Sequence, residues 1–127
     1  MSDKSIAEKL LIKPGYKVVL INTPPDYTIM LGELPAGVSL MEKPSGEADF
    51  IQVFVTSKKE LQEQLSRMKP LLKPKGLFWI TYPKSTSRMK VDINRDSINT
   101  YAQTVGLVGI AMISIDDTWS ALRLKEL

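Results

Sequence analysis

The chain has 127 residues, seventeen basic and fourteen acidic, with neither cysteine nor histidine. These absences exclude disulfides, thiolate metal sites and a cysteine nucleophile, and remove the commonest general base and metal ligand. Any metal would have to be held by carboxylates and carbonyls, which suits Mg²⁺ or Ca²⁺ and not zinc, and no motif for one is present.

A chain of this length is expected to form a single domain over 1–127 that buries roughly two-thirds of its unfolded-state surface. The net charge of +3 is compatible with weak attraction to anions, short of the dense basic stripe of a nucleic-acid binder. The opening segment MSDKSIAEKLLIK mixes charged and apolar residues and lacks the apolar run of a signal peptide. The longest apolar run, 105–115, is too short to span a bilayer. A cytoplasmic protein without membrane contact is expected.

Ser5-Ile6-Ala7-Glu8 has the form of a capping box and predicts a short leading helix that ends before Pro14-Gly15. A buried strand follows at 17–22, KVVLIN. Residues 27–31 suit a short helix stopped by Gly32, and 38–41 suit a second strand entered from the turn Pro35-Ala36-Gly37. Residues 49–55, DFIQVFV, form a third strand apolar enough to lie centrally in a sheet. Ser57-Lys58-Lys59-Glu60 reads as a second capping box, opening a helix with Leu61, Leu65 and Met68 on one face. Pro70 should bend or end that helix, and Pro74-Lys75-Gly76 should turn the chain into a fourth strand over 77–82. Asn94 or Asp92 can cap a third main helix carrying Ile98, Tyr101 and Val105, with Gly106 as its stop. Strands at 108–115 and 119–125, joined through Asp116-Asp117, should form an antiparallel hairpin. Strands alternating with helices give a three-layer α/β, Rossmann-like domain. Its mostly parallel sheet has about six strands in the order 2-1-3-4-6-5.

From Asp49 onward the pattern resembles the second half of class I S-adenosylmethionine-dependent methyltransferases. The stretch 71–80, LLKPKGLFWI, is similar to the helix end, L-K-P-G-G turn and following strand of that superfamily, and the terminal hairpin is similar to its closing ribbon. The whole chain resembles a family of small, functionally unassigned bacterial proteins on that scaffold, through Lys13-Pro14-Gly15, 31–35 (LGELP), Tyr82-Pro83-Lys84 and 116–123 (DDTWSALR). The resemblance implies the fold and assigns no activity. The superfamily's glycine-rich cofactor motif after the first strand is replaced by Asn22-Thr23-Pro24-Pro25-Asp26-Tyr27. There two prolines remove N–H donors and fix φ. Only Glu42 stands where the superfamily's ribose-binding acid would be. The same six residues superficially resemble the N-P-P-Y motif of amino-methyltransferases, but Thr23 and Asp26 interrupt it and the chain contains no G-x-G. A rigid turn at the sheet edge is the simpler reading.

Ligands of open α/β sheets bind beyond the carboxyl ends of the strands, where the connections change direction. For the expected strand order, Asn22, Thr23, Thr56 and Ser57 would line that crevice, with Tyr82 and Lys84 beside it. Ser57 opens a helix, whose free N–H groups favour an anion. The alternative is that Ser57 only caps its helix. Residues 84–90, KSTSRMK, form a polar loop whose Lys84, Arg88 and Lys90 suit an acidic partner, phosphates or nucleic acid, although no aromatic residue is interleaved for base stacking. A solvated loop is the plainer alternative. Asp116 and Asp117 suit either Mg²⁺ or a turn, and Trp79 and Trp119 suit the core. The sequence thus favours a non-catalytic methyltransferase-like domain, without a cofactor, that binds a partner protein or small anionic ligand as a monomer or homodimer. An enzyme using Lys84, Asp116 or Asp117 and a nucleic-acid accessory protein are the alternatives.

Overall fold

The computed structural model describes residues 5–43, 46–87 and 91–127. The expected leading helix is α1, Ile6–Lys9, with both halves of its Ser5/Glu8 capping box formed. β1 (Lys17–Ile21) is followed by α2 (Tyr27–Leu31), which Gly32 ends at a φ of 81°. β2 is Ser39–Met41 and β3 is Ala48–Phe54. The eleven-residue α3 (Lys58–Met68) leads through a 3₁₀ turn, Lys69–Leu71, into β4 (Leu72–Pro83). α4 (Arg95–Thr104) precedes the hairpin of β5 (Leu107–Ser114) and β6 (Trp119–Glu126).

The six strands form one sheet in the order β2-β1-β3-β4-β6-β5. β2, β1, β3 and β4 run parallel, and β6 lies antiparallel to both β4 and β5. Strand order and terminal hairpin agree with the sequence reading. Both faces of the central strands are covered, which is why they read as unbroken apolar runs rather than alternating ones. Val19, Ile21, Ile51, Val53, Phe78 and Ile80 face α3 and α4. Val18, Leu20, Phe50, Phe54 and Trp79 face α1 and α2. Leu61, Leu65 and Met68 of α3 are essentially fully buried, each worth about 1.5–3 kcal/mol of apolar transfer.

Two local expectations require correction. The segment around Pro74-Lys75-Gly76 lies inside β4 instead of preceding it. Leu72 pairs with Ala48 and Leu77 with Phe50, so five residue steps on β4 match two on β3. The excess is taken up by a bulge in which Lys75 has a φ of 65°. Gly76 belongs there because a Cβ would sit 2.7 Å from Leu72 Cδ1 and 2.8 Å from the Lys73 carbonyl oxygen. The second capping box is only half formed. Ser57 Oγ accepts from the Glu60 N–H at 3.1 Å, but the Glu60 carboxylate turns to Thr56.

Long-range polar contacts fix the sheet at its amino ends and on one face. At the amino ends, Asp49 accepts from the Lys17 N–H at 2.8 Å and pairs with Lys73 at 3.3 Å, spanning β1, β3 and β4. On the α1/α2 face, Trp79 Nε1 donates to the Leu10 carbonyl at 3.1 Å. Its indole is thus satisfied by a residue far away in sequence.

Candidate functional site

The carboxyl ends of the strands hold two sites of opposite character. The first is the crevice between β1 and β3. Asn22, just past β1, adopts a φ of 59°, and its amide donates to the Phe54 carbonyl at 3.4 Å, bridging the two strand ends. The loop then turns inward at Tyr27. This ring is buried, packs edge-on against Phe54 at 4.7 Å between centroids, and Phe54 does the same against Trp119 at 5.1 Å. The Tyr27 hydroxyl donates to Gln52 Oε1 at 2.8 Å, and Gln52 Nε2 donates to Thr81 Oγ1 at 2.7 Å. Gln52 and Thr81 are fully buried, so this relay satisfies polar groups that would otherwise be costly. Burial pushes the Tyr27 hydroxyl far above the usual tyrosine range, against a smaller opposing pull from the Gln52 hydrogen bond.

The amino end of α3 closes the same crevice electrostatically. Glu60 Oε1 accepts from the Thr56 N–H at 2.8 Å and from the Thr56 hydroxyl at 2.7 Å. Asp92 Oδ1 accepts from the Lys58 N–H at 2.9 Å. Two carboxylates and the Ser57 hydroxyl thus occupy the N–H groups of Thr56, Lys58 and Glu60, three of the donors that would greet an external anion. Pro24 and Pro25 supply no N–H groups. Thr23 is half-buried in the same loop, and Glu42 follows β2 exposed.

The second site is a cavity of about 1050 Å³ at the carboxyl end of β4, on the α4 face of the sheet. Tyr82 and Lys84 line it together with Asn94, Arg95, Met112 and Ser120. The six residues grouped by sequence therefore separate. Tyr82 and Lys84 share this cavity, whereas Asn22, Thr23, Thr56 and Ser57 do not line it. Strand register explains the cavity wall: Tyr82 pairs with Ser120 and Ser120 with Ser114 across three neighbouring strands, so their side chains rise on one face. Lys84 Nζ donates to Ser114 Oγ at 2.6 Å, and the Lys84 N–H donates to the Thr118 carbonyl at 2.7 Å. The Tyr82 hydroxyl lies 3.0 Å from Met112 Sδ. Burial raises its pKa, with Arg95 opposing and Asp96 reinforcing the shift. Arg95 and Asp96 form an exposed pair at 3.7 Å.

Asn94 caps α4: its side chain accepts from the Ser97 N–H at 2.9 Å, and the Ser97 hydroxyl answers on the Asn94 N–H at 2.9 Å. Asp92, the other expected cap, serves α3 instead. Asp116 Oδ1 accepts from the Thr118 and Trp119 N–H groups, each at 2.8 Å, which makes it a turn former; neither Asp116 nor Asp117 lines the cavity. Among the described residues no group of three or more acidic side chains is arranged to hold a metal ion, and no helix is long and apolar enough to cross a membrane. Arg88 and Lys90, named with Lys84 as an anion or partner loop, lie outside the described residues.

Several solved methyltransferase structures share this architecture. The ribosomal protein L11 methylase of Lactobacillus delbrueckii subsp. bulgaricus superposes with a TM-score of 0.65 at 12% identity, covering 95% of this chain and 74% of that one. An S-adenosylmethionine-dependent methyltransferase from Aquifex aeolicus gives 0.60 at 16% identity, covering 93% and 88%. The mitomycin 7-O-methyltransferase gives 0.69 at 9% identity, covering 97% of this chain but 53% of the larger enzyme. The fold is methyltransferase-like. At these identities the likeness is one of fold alone. No protein-family model and no curated protein sequence matches the chain.

Proposed function

We propose that this chain is a non-catalytic methyltransferase-like domain that binds a small anionic ligand at the carboxyl end of β4. The observation that carries the reading is the self-occupied crevice between β1 and β3. A methyl donor bound there would need free backbone N–H groups and open space. The residues present do not fit it. Pro24 and Pro25 lack donors, the Asn22 amide is spent on Phe54, Tyr27 is folded into the core, and Glu60 and Asp92 hold the N–H groups before and at the start of α3. The space that is available instead lies beside Lys84, whose ammonium has no carboxylate within 4.0 Å among the described residues. A bound anion there would gain a partly desolvated charge partner.

Calorimetric titration of the full chain with S-adenosylmethionine, alongside assay of methyl transfer to a mixed pool of protein, RNA and small-molecule acceptors, tests the reading. No saturable heat and no transfer are expected. Micromolar binding accompanied by methyl transfer would overturn it.

A further inference from the structure

One wall of the cavity beyond β4 carries a hydroxyl that no other described side chain uses. Ser120 is 8% exposed, yet its hydroxyl has no hydrogen-bond partner among the described residues. It sits on the cavity wall, between Tyr82 and Ser114 in register. Its oxygen opens onto the cavity rather than being sealed in the core, so it is free to bond whatever occupies that space. The serine thus offers a hydroxyl to a molecule that enters the cavity.

The neighbouring donors indicate what that something is. The first turn of α4 borders the cavity, and the N–H groups of Arg95 and Asp96 have no partner among the described residues once Asn94 has taken that of Ser97. Lys84 brings an ammonium group, and the Ser85 and Thr86 hydroxyls line the rim. Donors from β6, α4 and the loop after β4 thus face one space. A carboxylate, with two oxygens, would leave most of them idle. A phosphate group offers three terminal oxygens in a tetrahedral spread, which suits donors arriving from three elements. The remaining wall is apolar, with Val91, buried Ile93 and the half-exposed Met112. A space of about 1050 Å³ is ample for a nucleotide-sized body.

We infer that the cavity bounded by Lys84, Ser120 and the first turn of α4 binds a phosphomonoester with a largely apolar or flat body, its phosphate on Lys84, Ser120 and the α4 N–H groups. This rests on the reading of an anion-binding domain and names its ligand class.

The test is a ¹H–¹⁵N NMR titration of the full chain with inorganic phosphate, adenosine 5′-monophosphate and adenosine as separate probes. Phosphate and the monophosphate should shift the amides of Lys84, Arg95, Asp96 and Ser120, with adenosine at least about tenfold weaker than its monophosphate. Lys84→Met should weaken monophosphate binding about tenfold, and Ser120→Ala about fivefold, while both keep the dispersed spectrum of the native fold. Shifts confined to other surfaces, or unchanged affinity in Lys84→Met, would overturn the assignment, as would no saturable shift with either phosphate probe. A parallel titration with S-adenosylmethionine keeps the two readings separable. Saturable shifts at Asn22, Tyr27 and Gln52 would overturn the closed-crevice reading and leave the phosphate result standing by its own signals.

Discussion

The crevice between β1 and β3 and the cavity beyond β4 stand at the same edge of one sheet, and both collect polar side chains near a helix N-terminus. They differ in where those side chains are directed. Around the crevice, Asn22 bonds Phe54, Thr56 bonds Glu60, the Lys58 N–H bonds Asp92 and Tyr27 bonds Gln52, all within the chain. Around the cavity, Lys84 meets only a neutral hydroxyl among the described residues, Ser120 meets nothing, and the first turn of α4 keeps two free N–H groups. A scaffold position is therefore not a site by virtue of its place in the fold. The test is whether its donors remain unspent, because each intramolecular hydrogen bond formed removes a group that a ligand would otherwise recruit.

The strongest way to break this contrast is to reopen the crevice at Tyr27. Tyr27→Ala removes a fully buried ring, its edge contact with Phe54 and the partner of Gln52, and should destabilise the fold by about 3–5 kcal/mol. Tyr27→Phe keeps the ring and loses only the hydroxyl, so about 1–3 kcal/mol is expected from the orphaned Gln52 oxygen. Urea unfolding of the three proteins separates ring packing from the hydrogen bond. A Tyr27→Phe protein as unstable as Tyr27→Ala would show that the polar relay, and not packing, closes the crevice. The same residue gives an alkaline signature. Its folded pKa is raised, so the unfolded chain releases this proton first, and stability falls as pH rises through the ordinary tyrosine range of about 10. Tyr27→Phe should flatten that alkaline decline, read as urea midpoints on either side of the range.

How much of the contrast was legible in the sequence depends on how far apart the partners are. Ser5/Glu8, Asn94 and the Gly32 and Gly106 stops are local devices, readable because cap and capped groups lie within a few residues. The strand order followed from buried apolar runs alternating with helices. The bulge in β4 was not legible, since the chain continues as a strand through Pro74-Lys75-Gly76 only because Ala48 and Phe50 are there to pair with. The fate of Asp92 was hidden for the same reason: Lys58 and Asp92 meet across 34 positions. At the site, Tyr82 and Lys84 could be named from their place at a strand end, but not assigned to a face. Ser120 was missed. Its signal was present, as a serine alternating with Leu122 and Leu124 on what should be a purely apolar face of β6.

A smaller effect is expected at the opposite end of the sheet, where Asp49 acts as a purely structural reference. The Lys17 N–H, aided by Lys73, holds its carboxyl below the usual carboxylate range. The stabilisation is thus present above the unfolded pKa of about 4 and is lost as pH falls through the folded value. Asp49→Asn should cost about 1.5 kcal/mol at neutral pH, and the gap to the unaltered chain should close in acid. It should leave phosphate binding beyond β4 unchanged, measured in the same NMR titration. A change in that affinity would mean that the cavity is coupled to the far end of the sheet.

The smallest expected effect bears most directly on the contrast itself. Asp92→Asn keeps an oxygen that can still accept from Lys58 but removes the charge beside the amino end of α3. Only the favourable interaction with the helix dipole is lost, about 0.5 kcal/mol. Phosphate should still ignore α3, because the Ser57 hydroxyl and the Glu60 carboxylate remain on the neighbouring N–H groups. Asp92→Ala goes further and frees the Lys58 N–H. If that variant then showed phosphate-dependent amide shifts at Thr56, Ser57 and Lys58, the crevice would be an anion site suppressed by a single carboxylate. The crevice and the cavity would then differ by one side chain rather than by the whole set of partners described above. Unaltered amides there would mean that Glu60 and Ser57 suffice to keep the crevice closed, and that the anion preference belongs to the cavity beyond β4 alone.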